Sequence, residues 1–237
     1  MKKGVKIAII VGAIFLVIAF VGGYFFINDV VQKAKILEEF AKIEEITNSE
    51  NFDMESFNNT TSTIVATGKY ANVEKAAKKY ASDLFNTVFR IKTLMEDEKM
   101  TKLLTAENYQ NDGPEFVQTK KYLSETKQQL EENRQEMLSY LEETKINSYI
   151  EAETTDESSV NMYKEFVTQD IEISDTERKE LENAMNKIVK MLEIAEEVID
   201  FLITNNGKWK VQGGQILFNS NNLVVTYNGF LTKLRIL

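Results

Sequence analysis

Ser124 and Lys127, in the stretch SETK, have the Ser-x-x-Lys spacing in which a lysine of lowered pKa activates a serine hydroxyl. Three residues apart on a helix, the two side chains reach one another. The spacing stands alone, because the companion motifs Ser-Asp-Asn and Lys-Thr-Gly are absent. With neighbours such as Glu125 and Glu131, the surroundings are too charged to desolvate that lysine. The chain has neither histidine nor cysteine, which excludes imidazole bases, thiol nucleophiles, and thiolate or imidazole metal sites. Bundles that hold two metals use Glu-x-x-His pairs, and the doubled acids Glu38 with Glu39, Glu131 with Glu132 and Glu142 with Glu143 lack that partner. They read as solvated helix faces. Oxygen ligands for calcium gather at Glu50, Asp53 and Glu55 and near Asp112, without the spacing of an EF-hand loop. Gly22 with Gly23 and Gly213 with Gly214 match no phosphate-binding loop. The sequence therefore assigns no catalytic, cofactor-binding or metal-ligating residue, and the expectation is a protein that is not an enzyme.

Binding is the other chemistry to weigh. Tyr163, Trp209 and Tyr227 would line a small-ligand site if a helical bundle and a C-terminal hairpin brought them together. Trp209 beside Val211 also suits a hairpin packing its aromatic face on helices.

The elements that must position these residues are mostly helices. Val30, Ala34, Leu37, Ala41 and Glu44, widened by Val31, Phe40 and Ile43, predict a helix to about Ile46. Asp53 is placed to cap a second helix carrying Met54, Phe57, Thr61, Ile64 and Val65, with Gly68 as its left-handed end. Val73, Ala77, Tyr80, Leu84, Val88, Ile91 and Met95 form a third stripe. NDGPEF breaks the chain, Gly113 supplying an unusual backbone angle and Pro114 a first helical position. A long charged helix to about Glu143 then presents Phe116, Leu123, Leu130, Met137 and Leu141. A shorter helix from Asp156 carries Val160, Tyr163, Phe166 and Val167. The strongest stripe, Leu181, Met185, Ile188, Leu192, Ala195, Ile199 and Leu202, alternates four and three from a cap at Ser174 or Asp175 to a stop at Asn205, Asn206 and Gly207. This heptad seam reads as packing within a bundle rather than a coiled-coil dimer.

In KWKVQGGQILF the period falls to two, predicting a hairpin that turns at Gly213 and Gly214, with Trp209, Val211, Ile216 and Phe218 on one face. Residues 221–237 stay open: Leu223, Tyr227, Phe230 and Leu234 fit a helix, whereas the β-branched run and Asn228 with Gly229 fit a further hairpin.

The N-terminus decides where these elements stand. Residues 7–27 are uncharged and apolar, 21 in number, and a helix of that length at ~1.5 Å per residue matches a hydrocarbon core of about 30 Å. The Ala-x-Ala pattern of a cleaved signal is missing, and Tyr24, Phe25, Phe26 and Ile27 continue past the small residues. A basic leader ending in Gly4, an apolar helix and a late β segment resemble a type IV pilin, but Ile9 stands where pilins carry glutamate and Lys6 interrupts the run. Lys2, Lys3 and Lys6 on one flank against Asn28 and Asp29 on the other keep the N-terminus cytoplasmic.

Beyond the run, all 37 acidic residues and all but three of the 28 basic ones give a formal charge of −12, a surface that repels phosphate backbones and anionic lipid, so the expectation is neither nucleic acid as a partner nor a polybasic membrane clamp. Without disulfides, stability must come from buried apolar area. The sequence predicts a mainly α protein of the bacterial cell membrane, single-pass: residues 1–6 a cytoplasmic basic flank, 7–27 a transmembrane anchor, 28–204 an elongated extracytoplasmic helical bundle, and 205–237 a β-hairpin and C-terminal segment packed on it. Its expected work is non-catalytic interaction or scaffolding with a protein partner in the envelope. The alternatives are the small-ligand site above and a carboxylate-dependent envelope enzyme.

Overall fold

The computed structural model describes residues 30–49, 51–167 and 175–237. The chain is mainly helical and carries a two-stranded antiparallel hairpin near its C-terminus. Among the described residues no helix is long and apolar enough to cross a membrane; the run at 7–27 lies outside them. Two compact units divide the described chain, one built from residues 30–89 and 135–181, the other from residues 90–134 and 182–237.

The first unit contains α1 (Val30–Asn48), α2 (Met54–Ser62), the N-terminal three quarters of α3 (Lys69–Glu96), the last turn of α6 (Val117–Ser139), α7 (Glu143–Glu151), α8 (Glu157–Val167) and the start of α9 (Asp175–Thr204). In α1 the buried residues are Ile36, Glu39, Phe40 and Ile43, while Val31 is 66% exposed. The face is therefore rotated from the predicted stripe, whose Ala34 and Ala41 are exposed.

Asp53 caps α2 as expected, accepting from the Glu55 amide at 3.0 Å. The helix stops at Ser62, well short of Gly68. The Thr61 hydroxyl donates to the Phe57 carbonyl and that of Thr63 to the Asn59 carbonyl, the local competition that makes hydroxyl residues poor helix interiors. Gly68 does take a positive φ of +61°, but it leads into α3 rather than closing α2. Of the α3 stripe, Val73, Ala77, Tyr80, Leu84, Val88 and Ile91 are buried, and Met95 is half-buried. Phe52, Phe57, Phe85 and Phe89 form one aromatic cluster, with Phe57 and Phe85 only 4.3 Å apart.

The second unit holds the rest of α3, then α4 (Glu98–Lys102), α5 (Ala106–Asp112), most of α6 and α9, strands β1 (Trp209–Gln212) and β2 (Gln215–Phe218), and α10 (Asn221–Ile236). Side-chain caps start the short helices: Asp97 for α4 and Thr105 for α5. Asp112 accepts from the amides of Gln118 at 3.1 Å and Thr119, satisfying the first turn of α6.

Two expectations at NDGPEF are corrected. Gly113 has an ordinary φ of −74°; glycine is needed there because a Cβ would collide with the Tyr109 carbonyl and lie 2.9 Å from the Trp209 ring. The unusual angle belongs to Phe116, at φ +54°, and α6 begins at Val117, so Pro114 precedes the helix.

The predicted seam on α6 is buried at Phe116, Leu123, Leu130 and Met137, but the helix ends at Ser139 rather than near Glu143. All seven residues of the α9 stripe are buried. Its Ser174 cap lies outside the described residues, as does the Asp175 side chain. The hairpin pairs Trp209 with Phe218 and Val211 with Ile216, and Gly213 and Gly214 turn at φ +60° and +73°. Residues 221–236 are helical, with Tyr227 buried and Leu223, Phe230 and Leu234 half-buried on the inner face.

Candidate functional site

Lys127 does not turn to Ser124. Its Nζ lies 2.6 Å from Glu196 on α9, in a half-exposed ion pair, while Ser124 is exposed. Of the doubled acids, Glu38 meets Lys42, Glu131 meets Arg134, Glu132 accepts from Gln128 and Glu143 from Asn147. Asp53 and Asp112 are helix caps; Glu50 lies outside the described residues. Among the described residues no three acidic side chains are grouped to hold a metal ion.

Trp209 and Tyr227 do come together, around Tyr109. The indole stacks on Phe116 with ring centres 5.9 Å apart, meets Tyr109 edge-on at 6.4 Å, and donates to the Leu202 carbonyl at 2.8 Å. The hydroxyls of Tyr109 and Tyr227 lie 3.0 Å apart and share a hydrogen bond. Burial pushes both phenols up, so both stay neutral at physiological pH. Phe116 owes its left-handed backbone to this arrangement: fully buried, it is held between Tyr109 and Trp209. Tyr163 belongs to the other unit, where its buried hydroxyl donates to the Ile146 carbonyl.

The strongest concentration of buried charge lies in the first unit, and three residues form it. Glu74 and Lys78, one turn apart on α3, are both fully buried, and Glu39 on α1 is 7% exposed. Lys78 Nζ donates to Glu39 Oε2 at 2.8 Å and to the Thr63 carbonyl at 2.6 Å, and stands 2.7 Å from Glu74 Oε1. Glu74 Oε2 accepts from the amides of Val65 and Ala66 at 2.9 and 2.7 Å. Lys42 closes the rim, 2.9 Å from Glu39 Oε1. Burial raises the Glu39 carboxyl, but the hydrogen bonds from Lys42 and Lys78 outweigh it and hold that carboxyl below its ordinary value.

Both signs of charge meet the backbone of residues 63–66: Lys78 donates to the Thr63 carbonyl, and Glu74 accepts from the Val65 and Ala66 amides. The cluster ties that extended segment between α1 and α3. It is a latch with the features of a structural ion network, in which the buried Glu74 Oε1 has the ion contact with Lys78 but no hydrogen bond.

Sequence reasoning passed over it. The signal was there: Glu74 and Lys78 fall on the line Tyr70, Glu74, Lys78, Ala81 and Phe85, spaced 4, 4, 3 and 4, all of them buried. A charged pair inside an apolar stripe marks a buried ion pair, and small neighbours at Ala76, Ala77 and Ala81 leave it room. Comparison with protein families, curated proteins and solved structures gives no match for this chain.

Proposed function

We propose that this chain is a non-catalytic interaction or scaffold module of the bacterial envelope, held by residues 7–27 and displayed outside the cytoplasm. One observation carries the reading: the groups with chemical potential are engaged in holding the fold. Lys127 is ion-paired to Glu196, Asp53 and Asp112 cap helices, and Glu39, Glu74 and Lys78 engage one another and the backbone. The ligand reading loses support for a similar reason, since the tyrosines at Trp209 hydrogen-bond each other rather than presenting free hydroxyls.

The test is photo-cross-linking on intact cells from exposed positions of the full chain, followed by identification of what is captured. The reading expects one discrete envelope protein, lost when the surface used is altered. In parallel, purified chain is treated with penicillin-type and fluorophosphonate probes. No labelling is expected, and Ser124→Ala or Lys127→Ala should leave function intact. Stoichiometric labelling abolished by Ser124→Ala would replace this reading with an enzyme.

A further inference from the structure

The charges of this chain are segregated. Residues 201–237 contain Lys208, Lys210, Lys233 and Arg235 and no aspartate or glutamate, whereas residues 28–200 carry a formal charge of −16. The cationic segment is also where exposed apolar side chains gather. Leu217 is 41% exposed, Val224 37%, Val225 71% and Ile236 80%.

On α10, Leu223, Tyr227, Phe230 and Leu234 face inward, while Val225, Gly229, Thr232 and Ile236, spaced 4, 3 and 4, form the outward line. Thr232 masks its hydroxyl by donating to the Asn228 carbonyl at 2.9 Å, so this line exposes little polarity. Val225 and Ile236 thus stand uncovered on the outward side, among the exposed Asn222, Asn228 and Arg235. On the hairpin, Lys210 stands opposite Leu217 in register, and both are exposed. Lys233 is paired with Glu197 at 3.0 Å; among the described residues, no ion pair takes up Lys210 or Arg235.

We propose that the hairpin and the outer line of α10 form a docking surface for an anionic lipid bilayer, Val225 and Ile236 entering the headgroup boundary with Lys210 and Arg235 on lipid phosphates. Apolar residues flanked by cations, with no carboxylate side chain nearby in sequence, is the composition of an interfacial membrane contact. The rest of the chain is repelled by the same surface, so residues 201–237 are the part of the exported chain that an anionic membrane attracts. The inference rests on the anchored reading only for the presence of a bilayer.

The chain has no cysteine, so Val225→Cys in the full chain takes a single environment-sensitive fluorophore, and Glu125→Cys on the exposed side of α6 serves as the comparison site. Both are placed in vesicles of phosphatidylcholine alone and of equimolar phosphatidylcholine and phosphatidylglycerol. The expected result is a blue shift at position 225, with quenching by a headgroup-level lipid quencher, in the anionic vesicles only. High salt and the double variant Lys210→Gln, Arg235→Gln should remove it, and position 125 should stay silent.

A shift at 225 that needs no lipid and grows with protein concentration would mean that a second copy covers the face, and would overturn the proposal. So would an unshifted label in both vesicles, or equal signals at 225 and 125. Vesicle flotation after alkaline washing reads the anchor separately, so failure of the anchor and failure of this surface are distinguishable.

Discussion

Lys78 joins two carboxylates and a backbone carbonyl of the first unit. Removing its ammonium would leave the Glu39 and Glu74 carboxylates buried and the Thr63 carbonyl without its donor, and breaking such a buried network typically costs about 3–5 kcal/mol. Lys78→Met should therefore lower the urea midpoint sharply, and a change no larger than that of a surface lysine such as Lys79 would show that the network is dispensable. The sign of the pH dependence follows from Glu39, whose carboxyl is held below its ordinary 4.5. Its contribution is fully present above that unfolded value and is lost as pH falls through the lowered one. Stability measured by urea melts should fall on acidification below that range, and Glu39→Gln should flatten the fall. Glu74 and Lys78 were legible as charges on a buried line of α3, but Glu39 was not, since the sequence reads it as half of a solvated doublet. The absence of imidazole and thiol chemistry, by contrast, follows from residue types alone.

At the scale of elements, apolar buried positions made α3 and α9 legible but not the face of α1, whose buried Ile36 lies off the predicted stripe. The α9 line was legible residue by residue because every core position carries an aliphatic, a methionine or an alanine. Ile188→Ala or Leu192→Ala should cost about 2–5 kcal/mol in equilibrium unfolding, as truncations of buried aliphatics do. Glu193→Gln, on the exposed side in a pair with Lys190, should stay within about 0.5 kcal/mol. Equal small effects at both kinds of position would contradict the burial described. On α6 only half the packing could be read, since the second line of the seam, Thr119, Thr126 and Asn133, is polar yet buried. The end of that helix had no local signal either. Neither glycine nor proline follows Ser139, and the freed Leu141 carbonyl is satisfied by Arg178, which is 37 residues away. The hairpin was legible through Gly213 and Gly214, while residues 221–236 settle as a helix with the Ser220 hydroxyl accepting from the Leu223 amide.

For the whole molecule, the anchored reading makes a direct prediction: the chain stays with the membrane fraction through alkaline washing, and protease added outside intact cells digests it. Release of a fragment beginning near Tyr24 would mark the apolar run as a cleaved signal, and protection from protease would reverse the orientation. The two units also have an optical consequence. The protein has one tryptophan, and its indole sits against Phe116 and the Leu202 carbonyl in the second unit. Tryptophan emission, excited at the red edge where the nine tyrosines do not absorb, thus reports on that unit and not directly on the Lys78 latch, whereas far-ultraviolet ellipticity averages over both. Because α3, α6 and α9 each contribute residues to both units, the two signals should move through one denaturant transition. Lys78→Met should then displace the emission curve although it touches nothing near the fluorophore, and an emission midpoint left in place while ellipticity falls early would show that each unit melts on its own.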